Sequence, residues 1–364
     1  MLVKDIIKIF EDFAPLSLQE NYDNSGLLVG NVNLSLKGIL LTIDITEDVV
    51  NEAIENNCNL IISHHPLIFK AIKRLTFENE TQRCIIKLIK NDIAVYAAHT
   101  NFDNVIEGVN AKIADKLGLV NRQVLLPMAN QLLKLAVYVP KLHAVSVREA
   151  IFAAGAGNIG NYDSCSFTTE GYGTFKANEF AKPFVGEANN LHTEPEIKLE
   201  IILPEYAKSR VIHALLQSHP YEEPAFDLIP LQNTSNRLGA GLVGDLEVAI
   251  DEINFLNILK ELFNCNQIRH TNIIGKKIKR VALCGGSGSF LLNNAILSGA
   301  DIFISGDFKY HEFFDAENRI LIADLGHFET EQYTKHIFYE LITKKMPTFA
   351  VRISETKTNP INYL

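Results

Sequence analysis

Gly38-Ile39-Leu40-Leu41-Thr42-Ile43-Asp44 and Asn59-Leu60-Ile61-Ile62-Ser63-His64-His65 decide the fold class. Each is a short apolar run without polar alternation, as expected of a strand buried on both faces. Between them, Thr46 is placed to cap a helix that runs to about Asn56, with Glu47 and Asp48 in its first turn. The pattern continues outward with a helix over 80–91, a strand over 93–98 and a helix over 107–118 that ends at Gly118. Strands alternating with helices predict a mostly parallel sheet covered by helices.

The C-terminal part repeats the plan: a strand over 279–284, a helix over 289–299, strands over 301–305 and 319–323, and a helix over 329–344. Laying Ile39-Leu40-Leu41 on Val281-Ala282-Leu283 also lays Ala53 on Ala295 and Ser63 on Ser305. We read this as an internal duplication, giving a two-lobed α/β core formed by residues 1–126 and 237–364. The alternative is two generic strand–helix–strand units that look alike because all such units do.

Residues 127–236 follow a different pattern. Pro127–Gln131 reads as a linker, Leu132–Pro140 as an alternating strand, Val145–Ala154 as a helix, and Gly155–Thr174 as hairpin strands with tight turns. Lys198–Leu203 reads as a strand, Tyr206–Gln217 as a helix and Ala225–Leu231 as a last strand. The order β-α-β-β-α-β predicts an inserted ferredoxin-like α+β domain, closed by the polar return 233–241.

Composition limits the function. Of 364 residues, 47% are hydrophobic and 21% charged, an ordinary globular balance. The net charge of −9 disfavours nucleic acid and anionic membranes as general partners. No stretch reaches the roughly 18 apolar residues of a membrane span. The N-terminus reads as an amphipathic helix (Leu2, Ile6, Ile7, Phe10, Phe13) rather than a secretory signal. The five cysteines form no CxxC and suit free thiols in a reducing cytoplasm.

Three clusters carry the chemistry, and all stand at carboxyl ends of predicted strands, where open α/β sheets place ligands. Ser63-His64-His65-Pro66 offers adjacent imidazoles, a common donor type for zinc, iron and nickel. Its simpler reading is a pair of surface histidines. His99-Thr100-Asn101-Phe102-Asp103 and His327-Phe328-Glu329-Thr330-Glu331 each set an imidazole four residues before a carboxylate. Alone, each could be an ordinary helix ion pair. A duplicated fold would bring them together. His64, His65, Asp103, His327 and Glu331 then supply three nitrogens and two carboxylates. That is enough for two divalent ions about 3.5–4 Å apart with positions left for water.

His99 is left over as a group that hydrogen-bonds a ligand or water, or moves a proton, with direct metal ligation as the alternative. Asp307 and His311, in Ser305-Gly306-Asp307-Phe308-Lys309-Tyr310-His311, are further catalytic candidates, with a structural turn as the alternative. Gly285-Gly286-Ser287-Gly288-Ser289 could offer amides to a phosphate or simply form a tight strand-to-helix turn. Asp23-Asn24-Ser25-Gly26 could be a turn or could border the pocket. His219-Pro220-Tyr221-Glu222-Glu223-Pro224 shapes a turn in the insert, with a ligand or subunit contact as the second reading.

DNSGLLVG (23–30), SHHPLIF (63–69), AAHTNFD (97–103), GGSGS (285–289), ADIFISGDFKYHE (300–312) and GHFETE (326–331) occur in this order. The ordered set resembles the NIF-three (interacting factor three) family, whose members are often labelled GTP cyclohydrolase 1 type 2 homologues, over essentially the whole chain. The resemblance implies a dinuclear metal site on His64, His65, Asp103, His327 and Glu331, the metal being Zn, Fe, Mn or Ni. It implies a PII- or CutA-like insert and a cytoplasmic homohexameric ring. It also implies a metal-dependent hydrolase acting on a purine nucleotide such as GTP, with water attacking C8 of guanine. The rival expectation is a metal-binding regulatory or scaffold protein whose insert senses a ligand without turnover.

Overall fold

The computed structural model describes all 364 residues. The chain forms two compact units, Met1–Pro127 with Arg237–Leu364, and Met128–Asn236. Its strands in chain order are β1 (Gly26–Val29), β2 (Ile39–Thr42), β3 (Leu60–Ser63), β4 (Ala94–Ala97), β5 (Val120–Pro127), β6 (Leu132–Pro140), β7 (Phe167–Lys176), β8 (Leu191–Pro204), β9 (Phe226–Pro230), β10 (Gly239–Asp251), β11 (Arg269–His270), β12 (Lys277–Ser287), β13 (Ile302–Gly306), β14 (Leu321–Asp324) and β15 (Val351–Ile353).

The larger unit contains two sheets, ordered β1-β4-β3-β2-β15 and β11-β14-β13-β12-β10-β5. In each, three strands run parallel in the same order: β4-β3-β2 in one and β14-β13-β12 in the other. The repeated plan of the sequence is thus a repeated strand order. β5, from the first half of the sequence, lies in the second sheet, and β15, from the second half, pairs in parallel with β2 in the first.

The expectation of a mostly parallel sheet holds for the first sheet, where β15-β2, β2-β3 and β3-β4 all pair in parallel, and needs correction for the second. β1 is antiparallel to β4, and β5, β10 and β11 also pair antiparallel, so the second sheet is mixed. The parallel strands were readable because β2, β3 and β4 are buried along their whole length, leaving an unbroken apolar signal.

Local chemistry sets the helix starts. Thr46 accepts from the Val49 amide at 3.3 Å, Asn79 from Gln82 at 3.0 Å, and Asp251 from Ile253 and Asn254. The single helix expected over 329–344 is two: His327–Glu331 and Thr334–Lys345. At the break, the Gln332 side-chain amide donates to the carbonyls of Phe263 and Glu329. The helix expected over 289–299 begins as a 3-10 turn and is α-helical only over Leu292–Leu297. Phe10, Tyr96, Phe102 and Phe338 pack together with ring centroids 5.3–5.7 Å apart. They fasten the N-terminal helix, the short helix Thr100–Asp103 and the helix Thr334–Lys345 against the first sheet.

In the smaller unit, β6, helix Ala144–Ala153, β7, β8, helix Lys208–Ser218 and β9 follow one another. The all-antiparallel sheet has the order β7-β8-β6-β9, which is ferredoxin-like topology. The hairpin expected within Gly155–Thr174 instead pairs β7, starting at Phe167, with the long β8. All five cysteines are free, and no helix is long and apolar enough to cross a membrane.

Candidate metal centre

His64 and His65 leave β3 directly, and the helix Thr100–Asp103 starts just beyond β4. The helix His327–Glu331 starts beyond β14, after Gly326 at φ 100°. These elements converge on one small volume. His65 Nε2 lies 2.9 Å from Glu331 Oε2, and His327 Nε2 lies 3.1 Å from the same oxygen. His64 Nε2 is 3.5 Å from Glu331 Oε1 and 3.8 Å from Asp103 Oδ1. His64 is fully buried and Glu331 almost so.

Each imidazole is oriented through its other nitrogen. His64 Nδ1 lies 2.8 Å from the Ala98 carbonyl, His65 Nδ1 2.6 Å from Asp44 Oδ1, and His327 Nδ1 2.6 Å from Asp307 Oδ2. A carbonyl only accepts, so His64 Nδ1 carries a proton and Nε2 is the nitrogen aimed inward. That Nε2 and Asp103 Oδ1 are buried and have no hydrogen-bond partner. A buried imidazole nitrogen and a buried carboxylate oxygen, both without a hydrogen-bond partner and 3.8 Å apart, are donor atoms suited to a cation. The ligand atoms of His65, His327 and Glu331, and separately those of His64, His65 and His99, each lie within 4.8 Å of one another. The residues present therefore fit divalent metal.

The electrostatics agree. Burial and the adjacent Glu331 carboxylate push Asp103 up to about 7. Burial opposes ionisation of Glu331, but His64, His327 and His65 hold it well below the ordinary glutamate value. Burial likewise disfavours charge on the two histidines, yet Asp44 and Glu331 raise His65 to about 10, and Asp307 and Glu331 raise His327 to about 11. A proton and a metal ion compete for the same imidazole nitrogens, so metal binding here is linked to proton release.

The other candidates fall into different places. The His99 ring lies 5.3 Å from that of His64 and 5.5 Å from that of His65, and its Nδ1 is 2.7 Å from Asp23 Oδ1. It is the N-cap of its helix, not part of it, so its spacing to Asp103 is not a shared helical face and does not match His327–Glu331 residue for residue. Asp23 also accepts from the Thr100 amide and from the Thr100 and Ser25 hydroxyls, which gives the Asp23–Gly26 turn its role beside the site. Asp307 orients His327. His311 is exposed, with Tyr310 and Phe314 as its ring neighbours, and makes no hydrogen bond or ion pair with the cluster.

Of the two readings of the glycine loop, the tight strand-to-helix turn is the one that fits, since β12 runs through Ser287 straight into the turn Ser289–Leu291. The Gly285 amide donates to Asn110 Oδ1 and the Gly286 amide to Thr330 Oγ1, both at 2.9 Å. Those amides brace the site and face no open anion position. Asn110 also donates to the Asp103 carbonyl at 3.1 Å, tying the loop to that helix. Sequence reasoning passed over Asp44, Asn110, Thr330 and Thr358, whose hydroxyl donates to Asp44 at 2.7 Å. Only Asp44 had a signal, an acid at the carboxyl end of a buried strand.

The family described as Duf34/NIF3 (NGG1p interacting factor 3) matches residues 1–360. A Bacillus subtilis (strain 168) protein named GTP cyclohydrolase 1 type 2 homolog is 39% identical over 371 residues, covering 99% of this chain and 98% of that protein. A protein of the same name from Halalkalibacterium halodurans is 38% identical over 364 residues, with the same coverage. Among solved structures, a Bacillus cereus protein described as related to NIF3 has a TM-score of 0.87 at 36% identity, covering 100% of this chain and 99% of that one.

Proposed function

Because this chain belongs to the Duf34/NIF3 family, we propose that it is a metal-dependent hydrolase of a purine nucleotide, with a pair of divalent ions held by His64, His65, Asp103, His327 and Glu331. The observation that carries the reading is the convergence of buried, unpartnered donors: His64 Nε2 and Asp103 Oδ1, 3.8 Å apart. Bound divalent metal supplies Lewis acidity and acidifies a water. Asp44, Asp307 and the Ala98 carbonyl fix the three imidazoles. His99, oriented by Asp23, keeps Nε2 free to hold or pass a proton at the edge of the same volume.

The substrate class rests on the names of the relatives, GTP cyclohydrolase 1 type 2 homolog. Incubating protein loaded with zinc, iron or manganese with GTP should release formate and a ring-opened product. No turnover with any of the three metals removes this substrate. The same family likeness supports a homohexamer, which mass photometry tests against six times the 40.7 kDa protomer.

A second reading, a regulatory protein with a ligand-sensing PII- or CutA-like insert, is supported by the β7-β8-β6-β9 sheet order. Full metal occupancy without turnover on any nucleotide would favour it.

A further inference from the structure

The unit Met128–Asn236 contains a cavity of about 830 Å³ that plays no part in the chemistry above. Its volume suits a small organic molecule. One wall is β7 and β8, and another is the segment Tyr221-Glu222-Glu223 that follows helix Lys208–Ser218. The HPYEEP motif, whose function the sequence left open, therefore borders the cavity.

The central feature is Glu196 on β8, only 9% exposed. Its Oε1 accepts from the Tyr221 hydroxyl at 2.9 Å, while Oε2 takes no hydrogen bond from the protein and, unlike the orphaned atoms of the metal centre, keeps accessible surface. Oε2 sits over Gly173, where a Cβ would come within 2.1 Å of it, so the glycine makes room for the carboxylate. Tyr221 is itself fixed: its amide donates to His219 Nδ1 at 3.1 Å, and His219 Nε2 donates to the Tyr138 carbonyl at 2.9 Å. Burial and Glu196 push the Tyr221 phenol up, so it stays a donor and leaves Glu196 an acceptor. Phe175 and Phe184 flank the Tyr221 ring at 6.2 and 6.4 Å. Phe180, another lining residue, is 85% exposed and leaves apolar surface uncovered at the cavity.

The lining charge is acidic. Glu170, Glu196, Glu222 and Glu223 stand against Lys176 and Lys198. Lys198 already lies 3.5 Å from Glu200, and Glu170 is paired with Lys141. A carboxylate oxygen left without a protein partner at an acidic, aromatic-lined cavity favours an N–H donor that carries positive charge.

We propose that this cavity binds a small organic cation, its ammonium or guanidinium head donating to Glu196 Oε2 and its apolar body lying on Tyr221, Phe175 and Phe184. This site is independent of the metal centre.

Calorimetric titration of the full chain with benzylamine and agmatine, using benzoate as the anionic control, tests the proposal. The cations should bind saturably and benzoate should not. Glu196→Gln should weaken the cations about tenfold or more. Gly173→Ala, which displaces the carboxylate, should act in the same direction. Metal content should stay at the wild-type level in both variants. Equal binding of benzoate, no binding of either cation up to about millimolar concentration, or unchanged affinity in a folded Glu196→Gln protein overturns the proposal. The comparison of cations with benzoate on the wild-type chain decides the matter even if the variants do not fold.

Discussion

The Nε2 atoms of His65 and His327 stand 3.2 Å apart, although 262 residues separate them in the chain. Both also contact one oxygen of Glu331, which gathers the two halves of the core around a single carboxylate. Glu331→Gln keeps the shape and removes the charge. The variant is expected to purify folded with metal content well below wild type. Elemental analysis beside a circular dichroism melt checks this, and an unchanged metal-to-protein ratio would sink the ligand assignment.

Asp44 acts on the site only through His65, and Thr358 acts only through Asp44. Losing an orienting partner of a metal-binding histidine typically costs about 10–100-fold in affinity. Asp44→Asn should therefore weaken metal binding by roughly that factor without abolishing saturation, and Thr358→Ala should give a smaller loss of the same sign. Competition against a chromophoric chelator measures both. Equal affinity in wild type and Asp44→Asn would mean that Asp44 does not tune the site.

The C-terminal segment is clipped to the first lobe by Glu52. Burial raises its pKa, but the Ser354 and Thr356 hydroxyls and the Glu355 and Thr356 amides donate to it and hold it below the ordinary value. With a folded pKa below the unfolded one, the contribution is fully present above the unfolded value of about 4.5 and is lost as pH falls through the folded value. Glu52 is partly exposed and solvent screens its contacts, so Glu52→Gln should lower stability by less than about 1 kcal/mol near neutral pH and reduce the slope of melting temperature against pH between about pH 5 and pH 3. Parallel wild-type and variant melting curves across that window would contradict this role.

What could be read in advance follows from where the information lies. β2, β3, β4 and their counterparts β12–β14 were legible because burial on both faces leaves uninterrupted apolar runs, and His64-His65 because two imidazoles at a strand end stand out. β1, β5, β10, β11 and β15 and the helix Glu252–Phe263 were missed, and the return expected over 233–241 ends early because β10 begins at Gly239. Gly26–Val29 and Val351–Ile353 are short edge strands, and only their partners β4 and β2 make them strands. Asn110 and Thr358 are lone polar residues, and their roles arise only when distant segments meet. The spacing argument that equated His99 with His327 failed for a local reason. One precedes its helix and the other begins it, a one-residue difference that periodicity does not resolve.

Gly286 ties the backbone to the donor set, and a pair of substitutions can separate its two constraints. Its φ is +61°, a left-handed conformation that L side chains adopt at a cost. A Cβ there would lie 2.2 Å from Glu331 Oε1 and 3.2 Å from His327 Cε1. Gly275 also has positive φ, +82°, but a Cβ there meets nothing within 4 Å. Gly275→Ala should thus show the conformational cost alone, about 1 kcal/mol, with normal metal content. Gly286→Ala should pay that cost and also drive Glu331 out of position, so its metal occupancy should fall together with its melting temperature. If Gly286→Ala loses stability yet keeps full metal occupancy, Glu331 tolerates displacement and is not a ligand held in a fixed geometry.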